Sequence, residues 1–266
     1  KLEIKNSNLV KGINLEGLRV LGDPLDFAKC YYNDLADEII YHDVVASLYG
    51  RNLISEFIKK VSQEVFIPMC VGGGIRNIED IETAMKSGAD KVFINSAALM
   101  DESFLKNSVK KFGSSNIVVN IEAIKIDNKY FASYENGRTI SDKEINKWIN
   151  FCQDNGAGEV IITSISQDGT GDGFDKKLLD YIIFEKIKIP VILQGGFGDL
   201  NNFINIKDYL NNLDGFSISS SLHYYLIKNK KIVHKDFSQG NTDYIQSGKL
   251  PSRFNYYSIE EIKNYL

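Results

Sequence analysis

Val71-Gly72-Gly73-Gly74-Ile75-Arg76 is a stretch that this chain writes in two versions. Ile67-Pro68-Met69-Cys70-Val71-Gly72-Gly73-Gly74-Ile75 returns as Ile189-Pro190-Val191-Ile192-Leu193-Gln194-Gly195-Gly196-Phe197-Gly198, a shift of 190 − 68 = 122 residues in a chain of 266. Each copy is a short apolar run that ends in glycines and leads into a polar segment of helical pattern. Glycine lets backbone N–H groups come close to a ligand, and the helix that follows adds the positive end of its dipole. Two such corners half a chain apart predict two anion sites facing each other. A single ligand with two phosphates suits that arrangement.

Three further anchors keep nearly the same spacing. Ala36-Asp37-Glu38-Ile39-Ile40 matches Ala157-Gly158-Glu159-Val160-Ile161, with Glu38 and Glu159 121 residues apart. Asp90-Lys91-Val92-Phe93-Ile94-Asn95-Ser96-Ala97 matches Asp214-Gly215-Phe216-Ser217-Ile218-Ser219-Ser220-Ser221 at 124, and Leu2-Glu3-Ile4 matches Ile121-Glu122-Ala123 at 119. An internal period of this kind implies two repeated half-domains. Between the anchors, strand patterns alternate with helical ones. Strands are expected at Leu2–Lys5, Glu38–Asp43, Ile67–Val71, Lys91–Asn95, Asn116–Ile121, Glu159–Thr163, Ile189–Leu193 and Gly215–Ser219. Helices are expected from Pro24 to about Leu35, Arg51–Glu64, Asn77–Ser87, Glu102–Phe112, Asp142–Gln153 (capped by Ser141 or Asp142), near Lys176–Phe184 and near Asn201–Leu210. Asp23 followed by Pro24 is a helix start, and Ser258-Ile259-Glu260-Glu261 is a capping box. Strands alternating with helices build a parallel sheet, and eight units in about 220 residues close into a (β/α)8 barrel.

The chain is therefore read as one α/β domain over 1–266, a TIM barrel of two half-barrels. Ile124–Gly137 is expected to be an inserted β-hairpin turning at Asp127-Asn128. Residues 6–22, containing Lys11 and Gly12, are expected to be a long loop. Tyr224–Tyr257 breaks the repeat and is expected to be a solvated surface insertion. Hydrophobic content of 43% and charged content of 25% are ordinary for a globular domain. A net charge of −4 gives no pull toward nucleic acid or an anionic membrane. Cys30, Cys70 and Cys152 are scattered, which fits a reducing, cytoplasmic setting. No membrane-length apolar run, signal peptide or metal-ligand spacing is visible, and no cofactor is called for. The chain starts at Lys1, without Met and inside a strand, so it is expected to lack its natural N-terminus.

Active sites of such barrels sit at the C-terminal ends of the strands. There Gly74 with Asn95 and Ser96 forms one expected phosphate pocket, and Gly196 with Ser219, Ser220 and Gly169 the other. Glu3 and Glu122 occupy repeat-equivalent strand ends and are the candidate acid and base, provided their surroundings push their pKa values apart. Lys11 is expected to swing over the mouth toward a substrate oxygen, and Asp43 and Asp168 lie on the same rim. At the opposite ends of the strands, Glu38, Lys91 and Glu159 predict a salt-bridged ring across the barrel floor, acting as a plug or as a gate for something small and neutral. His42, His223 and His234 form no catalytic set; packing or solvent roles are expected for them.

Through Leu2–Tyr224 the chain resembles the cyclase subunit of imidazole glycerol phosphate synthase. The resemblance is carried by Leu9-Val10-Lys11-Gly12, Gly22-Asp23-Pro24, Val71–Ile75, Asp90–Ala97, Gly156-Ala157-Gly158-Glu159 and Thr163-Ser164-Ile165-Ser166-Gln167-Asp168-Gly169-Thr170. It implies a barrel that takes ammonia from a glutaminase subunit at its floor and passes it to a bisphosphorylated substrate at its mouth. It makes Glu38, Lys91 and Glu159 members of an ammonia gate, whose fourth residue would precede Lys1, and Asp90 a contact toward the glutaminase. It also makes Lys11 the mobile-loop lysine and the two glycine corners the bisphosphate site.

The family's two catalytic aspartates fall on Glu3 and Glu122, and Ser166 replaces a usual acidic residue. The longer side chains move each carboxyl by roughly 1 Å, a misplacement that can cost on the order of 100-fold in rate. Two readings stay open on these residues. One is a working cyclase in histidine biosynthesis. The other is a paralogue that relays ammonia to a sugar amidotransferase in surface-glycan synthesis. A stand-alone sugar-phosphate isomerase barrel is a third.

Overall fold

The computed structural model describes residues 1–46, 55–229, 231–232, 241–242 and 246–266. In chain order its strands are β1 (Leu2–Lys5), β2 (Asn8–Ile13), β3 (Glu16–Gly22), β4 (Ile39–Asp43), β5 (Met69–Gly72), β6 (Lys91–Ile94), β7 (Ile117–Ile126), β8 (Lys129–Tyr134), β9 (Thr139–Glu144), β10 (Glu159–Ser164), β11 (Val191–Gln194) and β12 (Gly215–Ser217). The described helices are α1 (Pro24–Asn33), α2 (Ser55–Ser62), α3 (Ile78–Lys86), α4 (Ser96–Met100), α5 (Glu102–Phe112), α6 (Ile145–Asp154), α7 (Lys176–Tyr181), α8 (Asn201–Asn205), α9 (Ser220–Lys228) and α10 (Ile259–Tyr265). Eight strands pair in parallel in the order β12-β11-β10-β7-β6-β5-β4-β1. The backbone nitrogen of Lys1 donates to the Ile218 carbonyl at 2.9 Å, tying the first strand back to the last. This is the expected (β/α)8 barrel.

The halves repeat in conformation as well as in sequence. Gly73 and Gly74 have φ of 89° and 75°, and their counterparts Gly195 and Gly196 have φ of 101° and 100°. At these left-handed positions a side chain has no room: a Cβ on Gly73 would strike the Asp43 carbonyl, and one on Gly196 the Gly173 carbonyl. Asn95 and Ser219, which open α4 and α9, share the same unusual backbone (φ −137°, ψ −84° and φ −131°, ψ −77°). Asp90 Oδ2 accepts from Met69 N at 2.8 Å, and Asp214 Oδ2 from Val191 N at 2.9 Å, so one carboxylate device starts a strand in each half.

The insertions also obey the symmetry, which the sequence reading had only half seen. The segment expected to be a loop is an antiparallel hairpin of β2 on β1 and β3 on β2. It mirrors the hairpin of β8 on β7 and β9 on β8. The second hairpin turns at Asp127 (φ 52°) as expected, but extends through β9. Pairing of Glu144 with Phe131 carries the backbone past Ser141 and Asp142 in extended form. The next helix therefore begins at Ile145, and Glu144, not Ser141 or Asp142, caps it. Asp23 caps α1 with Pro24 in its first turn, and Ser258 and Glu261 make the expected capping box.

Alternate residues of the barrel strands face opposite sides. The larger cluster fills the layer between the strands and the helices, with Trp148, Phe27, Phe203 and Leu105 among its fully buried members. Inside the barrel, Ile40, Cys70, Phe93, Val118 and Ile161 form a separate apolar girdle joined by Ile192. The expected surface insertion differs from its reading at both ends. Tyr224–Lys228 belongs to α9, and Phe254 is buried with its ring 5.8 Å from Tyr224. Asn241 meets the sheet, its carbonyl accepting from Val20 N at 3.1 Å. Arg51–Ile54 of the expected second helix, Lys230, and the stretch 233–240 with His234 and Lys235 lie outside the described residues. Among the described residues no helix is long and apolar enough to cross a membrane.

Gly73→Ala and Gly196→Ala are each expected to cost more than about 2 kcal/mol in urea unfolding, because strain at positive φ adds to a backbone clash. Gly113→Ala, at φ 88° with nothing within 4 Å of the new Cβ, should lose only about 1 kcal/mol.

Candidate active site at the barrel mouth

Glu3 ends the inner face of β1, and β2 folds back on it with Glu3 opposite Val10. That hairpin places Lys11 inside the mouth. Its Nζ lies 2.9 Å from both oxygens of Glu3 and 3.3 and 3.0 Å from Oδ1 and Oδ2 of Asp168. All three residues are only 3% exposed, so Lys11 sits here as a buried ion-pair partner, on strand β2 where a loop was expected. The loop after β10 is pinned over the same hairpin. Asn14 N donates to the Asp168 carbonyl at 2.7 Å, and a Cβ on Gly169 would strike the Gly12 carbonyl.

These contacts separate the two glutamates electrically. Burial opposes ionisation of Glu3, but the ammonium groups of Lys11 and Lys1 outweigh it and hold the carboxyl below its usual range. Burial likewise opposes a charge on Lys11, and the two carboxylates more than offset it. Burial raises Asp168, and the pairing with Lys11 offsets this only partly. Glu122, at the repeat-equivalent position on β7, has no such cation in hydrogen-bond contact. Burial pushes its pKa up from 4.5 to about 7, against the opposing pull of Lys1 and of the Gly137 N–H, which donates to Oε2 at 2.8 Å.

Two cavities lie at the mouth, and the first glycine corner lines one of them. This first cavity, of about 30 Å³, is lined by Gly73, Gly74, Asn95 and Ser96 together with Asp43 and Glu122. Asn95 Nδ2 donates to the Ser133 carbonyl at 3.1 Å, while its buried Oδ1 has no partner. Ser96 Oγ accepts from Glu135 N at 3.3 Å. Asp43 is buried and accepts from Val45 N at 3.0 Å. The second cavity, of about 280 Å³, contains Lys11, Gly169 and Ser220. Gly196 and Ser219 are not among its described lining residues; Ser219 is buried and opens α9.

The sequence reading missed several wall residues. Asn120, inside β7, and Glu135 and Asn136, in the turn between β8 and β9, line the first cavity. Arg19 on β3 and Arg253 in the tail line the second. Only the inward phase of Asn120, two residues before Glu122, was available as a signal. His42 joins the first cavity with its ring edge-on to Phe93 at 5.0 Å, and burial keeps it neutral. His223 is a packing residue, with Nδ1 2.5 Å from the Tyr31 hydroxyl.

At the barrel floor, Lys91 Nζ bridges Glu38 Oε2 at 2.7 Å and Glu159 Oε2 at 3.1 Å. The expected cluster of three is thus assembled. Asp90 spends one carboxylate oxygen on strand β5 and is otherwise exposed.

Replacing Glu122 by Gln keeps an acceptor for Gly137 and removes the buried titration. Between pH 4.5 and 7 folded Glu122 holds a proton that the unfolded chain has released, so its contribution to stability falls as pH rises. The loss approaches about 3 kcal/mol above pH 7. Glu122→Gln should therefore melt higher than the parent at pH 8 and nearly with it at pH 4.5 in calorimetry.

Comparison with known proteins places this geometry in a family. Residues 2–228 match the family described as histidine biosynthesis protein. The chain is similar to imidazole glycerol phosphate synthase subunit HisF of Legionella pneumophila, 44% identical over 76% of this chain and 96% of that protein. It is 39% identical to the subunit of Petrotoga mobilis over 88% and 93% of the two chains. With the subunit of Chlorobaculum tepidum it shares 35% identity over 100% of this chain and 93% of the relative. The chain belongs to the histidine biosynthesis protein family.

Proposed function

We propose that the chain is the cyclase subunit of imidazole glycerol phosphate synthase, a lyase of histidine biosynthesis fed with ammonia by a glutaminase subunit. The observation that carries this reading is the split between two buried carboxyls at the mouth. Glu3 is held ionised by Lys11, whereas Glu122 exchanges a proton near pH 7. A pair tuned this way supplies a base and an acid at one pH. In this reading one phosphate of the ribulosyl aminoimidazole carboxamide substrate sits on Gly74, Asn95 and Ser96. The other sits on Gly169, Gly196, Ser219 and Ser220, with Asp43 and Asp168 lining the mouth between them.

Glu122 gives a proton to the substrate as the acid, Glu3 takes a proton from it as the base, and Lys11 holds Glu3 in position. Ammonia enters past Glu38, Lys91 and Glu159, with the glutaminase seated near Asp90. It then crosses the girdle of Ile40, Cys70, Phe93, Val118 and Ile161 as the neutral molecule. An apolar passage favours NH₃ over NH₄⁺ because burying an unpaired charge is costly.

Purified protein given ammonium salt and the bisphosphate substrate is expected to consume it, releasing imidazole glycerol phosphate. Glu122→Gln should lower kcat by about 100-fold or more, the scale of a lost general acid–base group. Lys91→Ala should change the ratio of glutamine-driven to ammonium-driven turnover once the glutaminase is added. Absence of ammonium-driven turnover would sink the cyclase reading. If the glutaminase still bound, that outcome would favour relay to a sugar amidotransferase.

A further inference from the structure

The two cavities at the mouth have walls of opposite charge. The first is lined by the carboxylates Asp43, Glu122 and Glu135, with no lysine or arginine among its described lining residues. The second is lined by Lys11, Arg19 and Arg253, with no carboxylate among its described lining residues. Lys11 is already held by Glu3 and Asp168. Arg253 has no ion pair among the described residues.

Arg253 belongs to the tail, outside both half-barrels, in a strap of residues 250–254 that forms one wall of the second cavity. The strap is seated by specific contacts. Ser221 Oγ donates to the Asn255 carbonyl at 2.6 Å, and Asn255 N donates to the Gly198 carbonyl at 2.8 Å. The Asn255 amide and the Tyr257 hydroxyl both bond Asp199. Phe254 is buried between Tyr224 and Gly171, where a Cβ would come within 2.8 Å of both the Arg253 carbonyl and the Phe254 ring. The backbone that follows Arg253 is thus held beside the corner that contains Ser220 and Gly169, while its side chain is exposed.

We infer that Arg253 is a substrate-binding residue, whose guanidinium holds the phosphoryl group seated on the second corner while the strap closes that corner. Arginine matches phosphate with two parallel N–H donors and stays charged at every working pH. The first corner must then hold its phosphate by backbone N–H groups and hydroxyls alone. A bisphosphate ligand would accordingly bind in one orientation, with its more strongly held end under the strap. The inference rests on the proposed bisphosphate site, but its test does not need turnover.

Equilibrium dialysis with inorganic phosphate and with the bisphosphate substrate tests it on the full chain. The parent protein is expected to take up phosphate at two sites. Arg253→Ala should weaken one of them, and the bisphosphate as a whole, by about 10- to 100-fold, the usual range for a lost charge-assisted bond. The other phosphate site should stay within twofold, and Arg253→Lys should fall between. In ammonium-driven assays the same variant should raise KM while kcat changes less than threefold. Bisphosphate and phosphate affinities within twofold of the parent in Arg253→Ala would overturn the inference. If turnover is absent but dialysis shows the loss, Arg253 stands and only the cyclase reading falls; if turnover is present and dialysis shows none, the inference falls alone.

Discussion

The ammonium group of Lys11, buried between Glu3 and Asp168, holds the mouth of this barrel together. It joins the end of β1, the hairpin that follows it and the loop after β10, three elements far apart in sequence. Desolvating three charged groups is expensive, and the arrangement is tolerable only because each carboxylate lies within hydrogen-bond distance of the ammonium. Once Lys11 is committed to Glu3 and Asp168, Glu122 is left to meet its own burial with a backbone N–H and a more distant charge. Burial is what raises the pKa of Glu122. The same bond answers what becomes of the extra methylene of Glu3, since both of its carboxylate oxygens are satisfied by Lys11.

The half-barrel symmetry is a symmetry of backbone, on which different charges have been hung. Gly73 and Gly195, Asn95 and Ser219, and Asp90 and Asp214 repeat one another in conformation or bonding. Glu3 and Glu122 share a position yet differ in ionisation, and the two cavities at the mouth differ in the sign of their walls. Across the barrel axis the interior is layered, with Lys91 and its two glutamates at the floor, an apolar girdle above them and polar groups at the mouth. Such layering disfavours an unpaired ion in the middle of the barrel.

Much of this was legible because the information was local or periodic. Glycines at fixed offsets after apolar runs, the Asp23-Pro24 start and the Ser258–Glu261 capping box act within a few residues and appear where their chemistry requires. Residues 6–22 were not legible as a hairpin, because their turns fall at Asn6 and at Asn14-Leu15 (φ 57°, 52° and 64°), where no glycine announces them. The start of the helix after the second hairpin was misread for a related reason: β9 is held by pairing with β8, which overrides the local preference of Ser141 and Asp142 for a cap. Arg19, Arg253 and Asn120 carried no motif at all.

The sequence by itself determined the barrel, its doubling, the places of the two glycine corners and the floor charges, since these depend on hydrophobic period and on residues that recur at one spacing. Only the tertiary structure decided which carboxyl keeps its charge, that Lys11 is buried between Glu3 and Asp168, and that the tail walls one cavity. Those outcomes depend on burial and on charges brought within about 3 Å from distant parts of the chain, and the strength of such interactions is set by distance and local dielectric, neither of which a linear order of residues contains.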